Sequence, residues 1–368
     1  MQFFRFIKQH TVLCIAALAA AVTACIIPPD GQYPGYFDLR TLTCLFLTLA
    51  VICALRNIKF FTILARKIVM LTGDLRMLTL ALVYITFIGS MLIANDMALI
   101  TFLPLGYFAL QVTKNEKHMA YVFILQNISA NLGGMLTPFG NPQNLYLYSH
   151  FAIPTGEFTA IMLPPFLLAV AMLTGACFLL KPTPLTISEE FPEKLPRGKM
   201  ILYLALFAFS ILIVFRIVPY WVGLLLIPAV LFAVDRSALK AVDYPLLLTF
   251  VMFFIFSGNM SRIDAVNRLF SALLQKNTLL VSVLSCQCIS NVPTAILLSR
   301  FTDNYRALLL GVNIGGTGTL IASLASLITF SEFRILYPGH GKQYFVLFTL
   351  INAVFLVIMT VFANFVLL

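Results

Sequence analysis

The sequence predicts an all-α polytopic membrane protein, built as an inverted-topology repeat with two re-entrant helical hairpins and two broken transmembrane helices. Three observations predict it. Of the 368 residues, 61% are hydrophobic and only 10% charged, with a mean hydropathy of +0.97; a water-soluble domain carries roughly 25% charged and 45–50% apolar residues. The apolar residues gather in runs of the length a spanning helix needs, about 20 residues. One succession of motifs occurs twice, once in each half of the chain. The scarcity of charge argues against a soluble enzyme, a disordered chain and a nucleic-acid binder. The net charge of +10 does not point to nucleic acid, because Lys and Arg sit in short gaps between apolar runs, where they set orientation.

In lipid, backbone polar groups must be bonded within their own segment, so the long runs read as helices. They lie at 11–27, 39–55, 119–150, 158–180, 200–218, 219–234, 244–260, 304–330 and 343–366, with 119–150 and 304–330 broken near their middles. The stretches 77–112 and 277–301 are apolar runs interrupted by a polar cluster. Each reads as a hairpin that dips into the membrane and returns to the side it entered. The first span follows Arg5 and Lys8 and contains Val22-Thr23-Ala24-Cys25, features of a removed signal segment. It continues into a loop and fits the repeat, so it is read as a span. With the N-terminus inside, 17 of the 24 Lys and Arg residues fall on the inner side. That bias places a multi-pass protein in the cytoplasmic (inner) membrane with its N-terminus cytoplasmic. Tyr220 and Trp221 read as an interfacial anchor. The proline-containing stretch 181–199, with Glu189, Glu190, Glu193 and Lys194, reads as a solvated cytoplasmic linker between repeats at 1–180 and 200–368.

The seven cysteines show neither zinc nor disulfide spacing. Cys286 and Cys288 are two apart and point in different directions on a helix, so they read as small buried residues.

The repeat is read element by element. A polar or amphipathic segment (56–73, then 261–276) precedes each hairpin. The hairpin turns at an asparagine, in Ala94-Asn95-Asp96 and again in Ser290-Asn291-Val292. A glycine-broken segment follows, running from Asn131-Leu132-Gly133-Gly134 to Thr137-Pro138 and Gly140-Asn141-Pro142-Gln143-Asn144. Its second version is Asn313-Ile314-Gly315-Gly316-Thr317-Gly318-Thr319, leading to Ala322-Ser323. Segments 219–234 and 244–260 match 11–27 and 39–55, which leaves 200–218 as an additional span. By the charge count the first hairpin enters from inside and the second from outside. Such repeats bring hairpin tips and broken helices together at the membrane midplane, where substrate and coupling ion bind.

The residue types suit that purpose. A broken helix exposes N–H groups at one end, which attract an anion, and carbonyls at the other, which attract a cation. Glycine lets the chain leave helical geometry, and Pro138, Pro142 and Pro293 remove donors. Asparagine, serine and threonine add donors and acceptors without charge. The candidate substrate-binding residues are Asn95, Asp96, Asn141, Asn144, Ser290, Asn291, Thr294 and Thr317. Asp96 is the one acidic residue read inside an apolar run; a carboxylate at the bilayer centre costs about 2.5–3.5 kcal/mol on insertion scales. It binds a cation, carries a proton, or caps a helix. Asn-x-Gly-Gly taken singly is close helix packing, and Thr137, Thr317 and Thr319 taken singly bond back to their own helices. His10, His118, His150 and His340 lie at span ends or in loops and are given no role.

These motifs resemble the ion transporter superfamily, whose members share a citrate-transporter-like domain. Ala94-Asn95-Asp96 with Leu99-Ile100 and Pro104 is similar to the first signature of its arsenite-permease and sodium:proton-antiporter branch. Gly133-Gly134 through Asn144 resembles that branch's broken helix, and Ser290-Asn291 with Gly315-Gly316-Thr317 to Ala322-Ser323 resembles the second copies. Related dicarboxylate:sodium symporters carry Ser-Asn-Thr at both tips; here Ala94, Asp96 and Val292 stand instead of hydroxyl residues. The resemblance implies bound sodium near Asn95 and Gly140, and again near Asn291, Ala322 and Ser323, with no other cofactor. It also implies a transport domain sliding against a scaffold, often in a homodimer.

The expected function is a secondary active transporter moving a small anion, an inorganic oxyanion or organic carboxylate, coupled to sodium or protons by alternating access. The alternatives are a cation:proton antiporter using Asp96 and an ion channel. A membrane-embedded enzyme would need a nucleophile with its base, or paired histidines, within the spans, and the sequence offers neither.

Overall fold

Helices begin where the sequence supplies a short polar side chain to hold the first free N–H groups. The side chains of Asp38, Asp74, Asp235, Asp243, Asn304 and Ser323 each accept a hydrogen bond from the backbone N–H three residues on. The computed structural model describes residues 11–185 and 195–368. The expectations placed on Arg5, Lys8, His10, Glu189, Glu190, Glu193 and Lys194 lie outside the described residues.

The chain runs through α1 (Thr11–Ile26), α2 (Leu39–Asn57), α3 (Phe60–Val69), α4 (Leu75–Ile93), α5 (Asn95–Val112), α6 (Met119–Gly133), α7 (Pro142–His150) and α8 (Thr155–Phe178). After the linker come α9 (Arg197–Val214), α10 (Tyr220–Val234), α11 (Arg236–Lys240), α12 (Tyr244–Ser261), α13 (Asp264–Ile289), α14 (Asn291–Leu298), α15 (Tyr305–Ile314), α16 (Leu324–Leu336) and α17 (Gly341–Phe362). Among the described residues, seven helices are long and apolar enough to cross a membrane: α2, α4, α8, α9, α12, α13, and α17 with the turn that extends it. The protein is an all-helical, multi-pass membrane protein.

The expected hairpins and breaks are present, with adjusted ends. Helices α4 and α5 meet at Ala94, and α13 and α14 meet at Ser290. The second broken helix continues to Leu336 rather than 330, so Glu332 also falls inside a helix. The segment expected at 261–276 forms a helix of its own from Asp264: Asn277 (φ −162°, ψ 94°) leaves helical geometry and separates it from the hairpin arm, the two helices together making α13. The start of the linker is less free than expected: Leu75 N–H donates to Thr183 O and Leu185 N–H to Gly73 O, both at 2.9 Å.

The packing has a matched plan. Helices α4 and α5 lie on α6, and α13 and α14 lie on α15. The distal halves of the broken helices cross over: α7 packs on α14, and α16 packs on α5. Further out, α1 packs on α12 and α10 on α2. Each of these contacts in one half thus has its counterpart in the other.

Candidate functional site

The two hairpin tips have the same local build. Ala94 (φ 65°, ψ 152°) and Ser290 (φ 73°, ψ 159°) adopt nearly identical left-handed, extended dihedrals. That geometry turns the chain so that the following asparagine starts the return helix. Asn95 Oδ1 then accepts from Asp96 N–H at 3.0 Å, and Asn291 Oδ1 accepts from Val292 N–H at 2.9 Å.

The breaks match as well. Gly134 (φ −62°, ψ −11°) and Gly315 (φ −65°, ψ −14°) end the first helical halves. Asn141 (φ −137°, ψ 144°) and Ser323 (φ −148°, ψ 150°) begin the second halves. Between them, Thr137 Oγ1 donates to Met91 O at 2.9 Å, and Thr319 Oγ1 donates to Gln287 O at 3.1 Å. Met91 and Gln287 each stand four residues before the tip asparagine of their hairpin. Each break is therefore tied to its own hairpin arm through an equivalent bond. Asn131 Nδ2 and Asn313 Nδ2 also donate equivalently, to the carbonyls of Asn127 (3.2 Å) and Leu309 (2.8 Å) one turn back.

The tips converge. Asn95 Nδ2 donates to Asn131 Oδ1 at 3.3 Å. Asn291 N–H donates to Ala322 O at 2.9 Å. A Cβ at Gly316 would lie 2.9 Å from Asn291 Nδ2 and 3.5 Å from Asn131 Oδ1. Asn291 and the partner of Asn95 thus flank a single glycine, and both tip asparagines are buried. The halves are bonded directly too. Asn313 Nδ2 donates to Asn144 Oδ1 at 2.6 Å, and Ser326 Oγ donates to Asn127 Oδ1 at 3.3 Å.

Some expected residues engage differently. Thr294 Oγ1 donates to Ser290 O and Thr317 Oγ1 to Ile314 O, both 2.7 Å bonds within their own helices or turns. Asn144 Nδ2 closes the end of the first break, facing the carbonyls of Gly134, Met135 and Thr137. Asn141 Nδ2 donates to Asn131 O at 3.3 Å. The buried side-chain oxygens without a partner include Asp96 Oδ1, Asn141 Oδ1 and Asn313 Oδ1. A lone acceptor left buried costs about 1–3 kcal/mol, which is recovered when a donor reaches it. Asp96 lies in the first turn of α5, beside the tip, while Arg56 Nη1 lies 3.4 Å from Sδ of the next residue, Met97.

The sequence reading missed Gln287, Asn127, Asn131, Asn313 and Ser326 as members of the centre. Equal spacing was the available signal: Asn131 precedes Asn141 by the same ten residues that separate Asn313 from Ser323.

The sequence pattern of the citrate transporter family matches residues 5–305. The chain belongs to the citrate transporter family. An uncharacterized transporter of Methanocaldococcus jannaschii is 34% identical over 79% of this chain and 80% of its own length. The inner membrane protein YbiR of Escherichia coli is 28% identical over 81% of this chain and 80% of its own. A silicon efflux transporter of Oryza sativa is 32% identical over 41% of this chain and 29% of its own. This family member is a secondary transporter embedded in the lipid bilayer.

Proposed function

We propose that the protein moves a small oxyanion, in a form that still carries O–H groups, through the site between the two asparagine tips by alternating access. The observation that carries this reading is the sign of the unfilled hydrogen-bonding capacity. Asp96 Oδ1, Asn141 Oδ1 and Asn313 Oδ1 are all acceptors, and a ligand with hydrogen-bond donors completes them. A partly protonated oxyacid donates through its hydroxyls and accepts through its remaining oxygens from asparagine amides. A fully ionised dicarboxylate has no donor, and Asp96 would repel it. The name of the rice relative, a silicon efflux transporter, fits a hydroxylated oxyacid.

In this reading the matched tips, breaks and packing pairs belong to inverted repeats at 1–180 and 200–368, with the N-terminus cytoplasmic in the inner membrane. The hairpins and broken helices form the moving part, α1, α2, α10 and α12 belong to the scaffold, and the working form is a homodimer. A second reading, a cation:proton antiporter, draws on the same buried Asp96 oxygen as a proton carrier.

The test is uptake of labelled oxyanions and carboxylates into proteoliposomes under imposed sodium, proton or no gradient. Gradient-driven flux of an oxyanion is expected. Asn95→Ala and Asn291→Ala are each expected to abolish it while the purified variants keep their helical content. The site assignment fails if both variants transport at the wild-type rate. The transport reading fails if no solute moves under any gradient.

A further inference from the structure

The resemblance described above implies sodium at the two helix breaks, and the residues there do not fit it. We propose that Asn144 and Gln287 are ion-excluding residues: their amide nitrogens stand at the two points where a break's carbonyls converge, so sodium occupies neither. The proposal rests on reading the tips and breaks as the transport site.

A hard cation is held by several oxygens directed at one point. In the first break the carbonyls of Gly134, Met135 and Thr137 face one point, and Asn144 Nδ2 occupies it at 3.1, 3.3 and 3.4 Å. At the second, the break carbonyls of Gly315 and Thr317 face Gln287 Nε2 at 2.9 and 3.2 Å, joined at 3.1 Å by the carbonyl of Val283 on Gln287's own hairpin arm. Three acceptors around one nitrogen that bears two hydrogens is an environment suited to positive charge, here filled by the positive end of an amide dipole.

Neither amide is free to turn. Asn144 Oδ1 accepts from Asn313 Nδ2 at 2.6 Å, and Gln287 Oε1 accepts from Thr319 N–H at 2.9 Å. A flip would set an oxygen against three carbonyls and orphan a donor. Oxygens at four of the five positions the resemblance assigns to sodium, Asn95, Asn291, Ala322 and Ser323, each accept a hydrogen bond. Ala322 O accepts from Asn291 N–H, Ser323 Oγ from Ser326 N–H, and the tip asparagine oxygens from the N–H groups that follow them. The buried side-chain oxygens without a partner, Asp96 Oδ1, Asn141 Oδ1 and Asn313 Oδ1, are atoms other than these, and in the proposed function the oxyacid uses them.

The two fillings have different origins, which shows that they are not a copied feature. Asn144 belongs to the broken helix it closes. Gln287 reaches from the hairpin arm, at the position where the first hairpin carries Met91. Only the second filling is therefore carried by a hairpin.

The experiment uses the purified full-length protein and needs no knowledge of the transported solute. The unaltered protein is expected to show no saturable binding of radiolabelled sodium and the same Tm in sodium chloride as in choline chloride. Gln287→Glu and Asn144→Asp keep the side-chain shape but replace the nitrogen by an oxygen. Each is expected to melt lower than wild type in choline at neutral pH, and to recover in sodium or on acidification. Saturable sodium binding by the unaltered protein, or a sodium-specific rise in its Tm, overturns the proposal. So does either variant melting like wild type in choline at neutral pH. If the variants fail to fold, the sodium measurements on the unaltered protein decide alone. In the uptake assay, flux that requires sodium overturns this proposal and leaves the transport reading standing. Absence of flux under every gradient overturns the transport reading and leaves the binding result intact.

Discussion

Ala94 and Ser290 hold a backbone region that side-chain-bearing residues rarely enter, at a cost of order 1–3 kcal/mol each. The hydrogen bonds that converge on Asn95 and Asn291 offset it, and the same strain at both tips is what aims the two asparagines inward. Glycine serves the opposite purpose one layer behind. A Cβ at Gly133 would fall on Phe87 O, a main-chain atom of α4 that cannot step aside. Gly133→Ala is expected to push α6 away from the hairpin and destabilise the protein by about 1–3 kcal/mol, the usual range for overpacking a tight contact. Thermal unfolding of the purified variant checks this. A Tm equal to wild type would mean that the hairpin and broken helix are not held in close register.

Among the elements, the loop between α1 and α2 is fastened to the end of α12 by Arg262, whose Nη2 donates to Asp30 Oδ2 at 2.7 Å and whose Nη1 donates to Tyr36 OH at 3.0 Å. The hydrogen bond from Arg262 holds the Asp30 carboxyl below its usual value, helped by Gln32 N–H. A carboxylate depressed in this way contributes stability above its unfolded pKa, about 3.9, and loses it as pH falls through the lower folded value. Asp30→Asn is therefore expected to lower the Tm at neutral pH, with the difference from wild type closing below about pH 4. Because the pair is exposed to solvent, added salt should shrink the difference. A gap that persists unchanged into acid would assign the effect to loop packing rather than charge.

For the molecule as a whole, inverted repeats make a topological prediction that packing alone does not. The loop after the first hairpin holds Lys117, and the loop after the second holds Asp303; both residues are exposed. Lys117→Cys and Asp303→Cys, made in a background with the exposed Cys25 and Cys288 replaced by Ser, are expected to react with a membrane-impermeant maleimide from opposite faces. Labelling of both from one face would make the repeats parallel and remove the basis for tips that meet from opposite sides. The expectation that Lys117 lies inside follows from the Lys and Arg distribution.

The sequence by itself determined the helical, membrane-spanning class, the number and order of hairpins and breaks, and the asparagine at each tip. It could do so because each is a local property: an apolar run of spanning length, a glycine or proline that interrupts it, a polar residue where lipid tolerates none. The separation at Asn277 was legible too, as a change of composition between the amphipathic segment and the hairpin arm. Only the tertiary structure decided which amide meets which carbonyl. Gln287 carries no signature in periodicity or hydropathy, and its counterpart Met91 does not resemble it. Its role exists only because the break of a helix some thirty residues further along folds back onto that arm. Asn144 was legible as a polar residue of the site, yet its neighbours turn its nitrogen toward the break and its oxygen toward Asn313. Hydrogen bonding is directional and short-ranged, so the partner of a buried amide is fixed by where the helices cross.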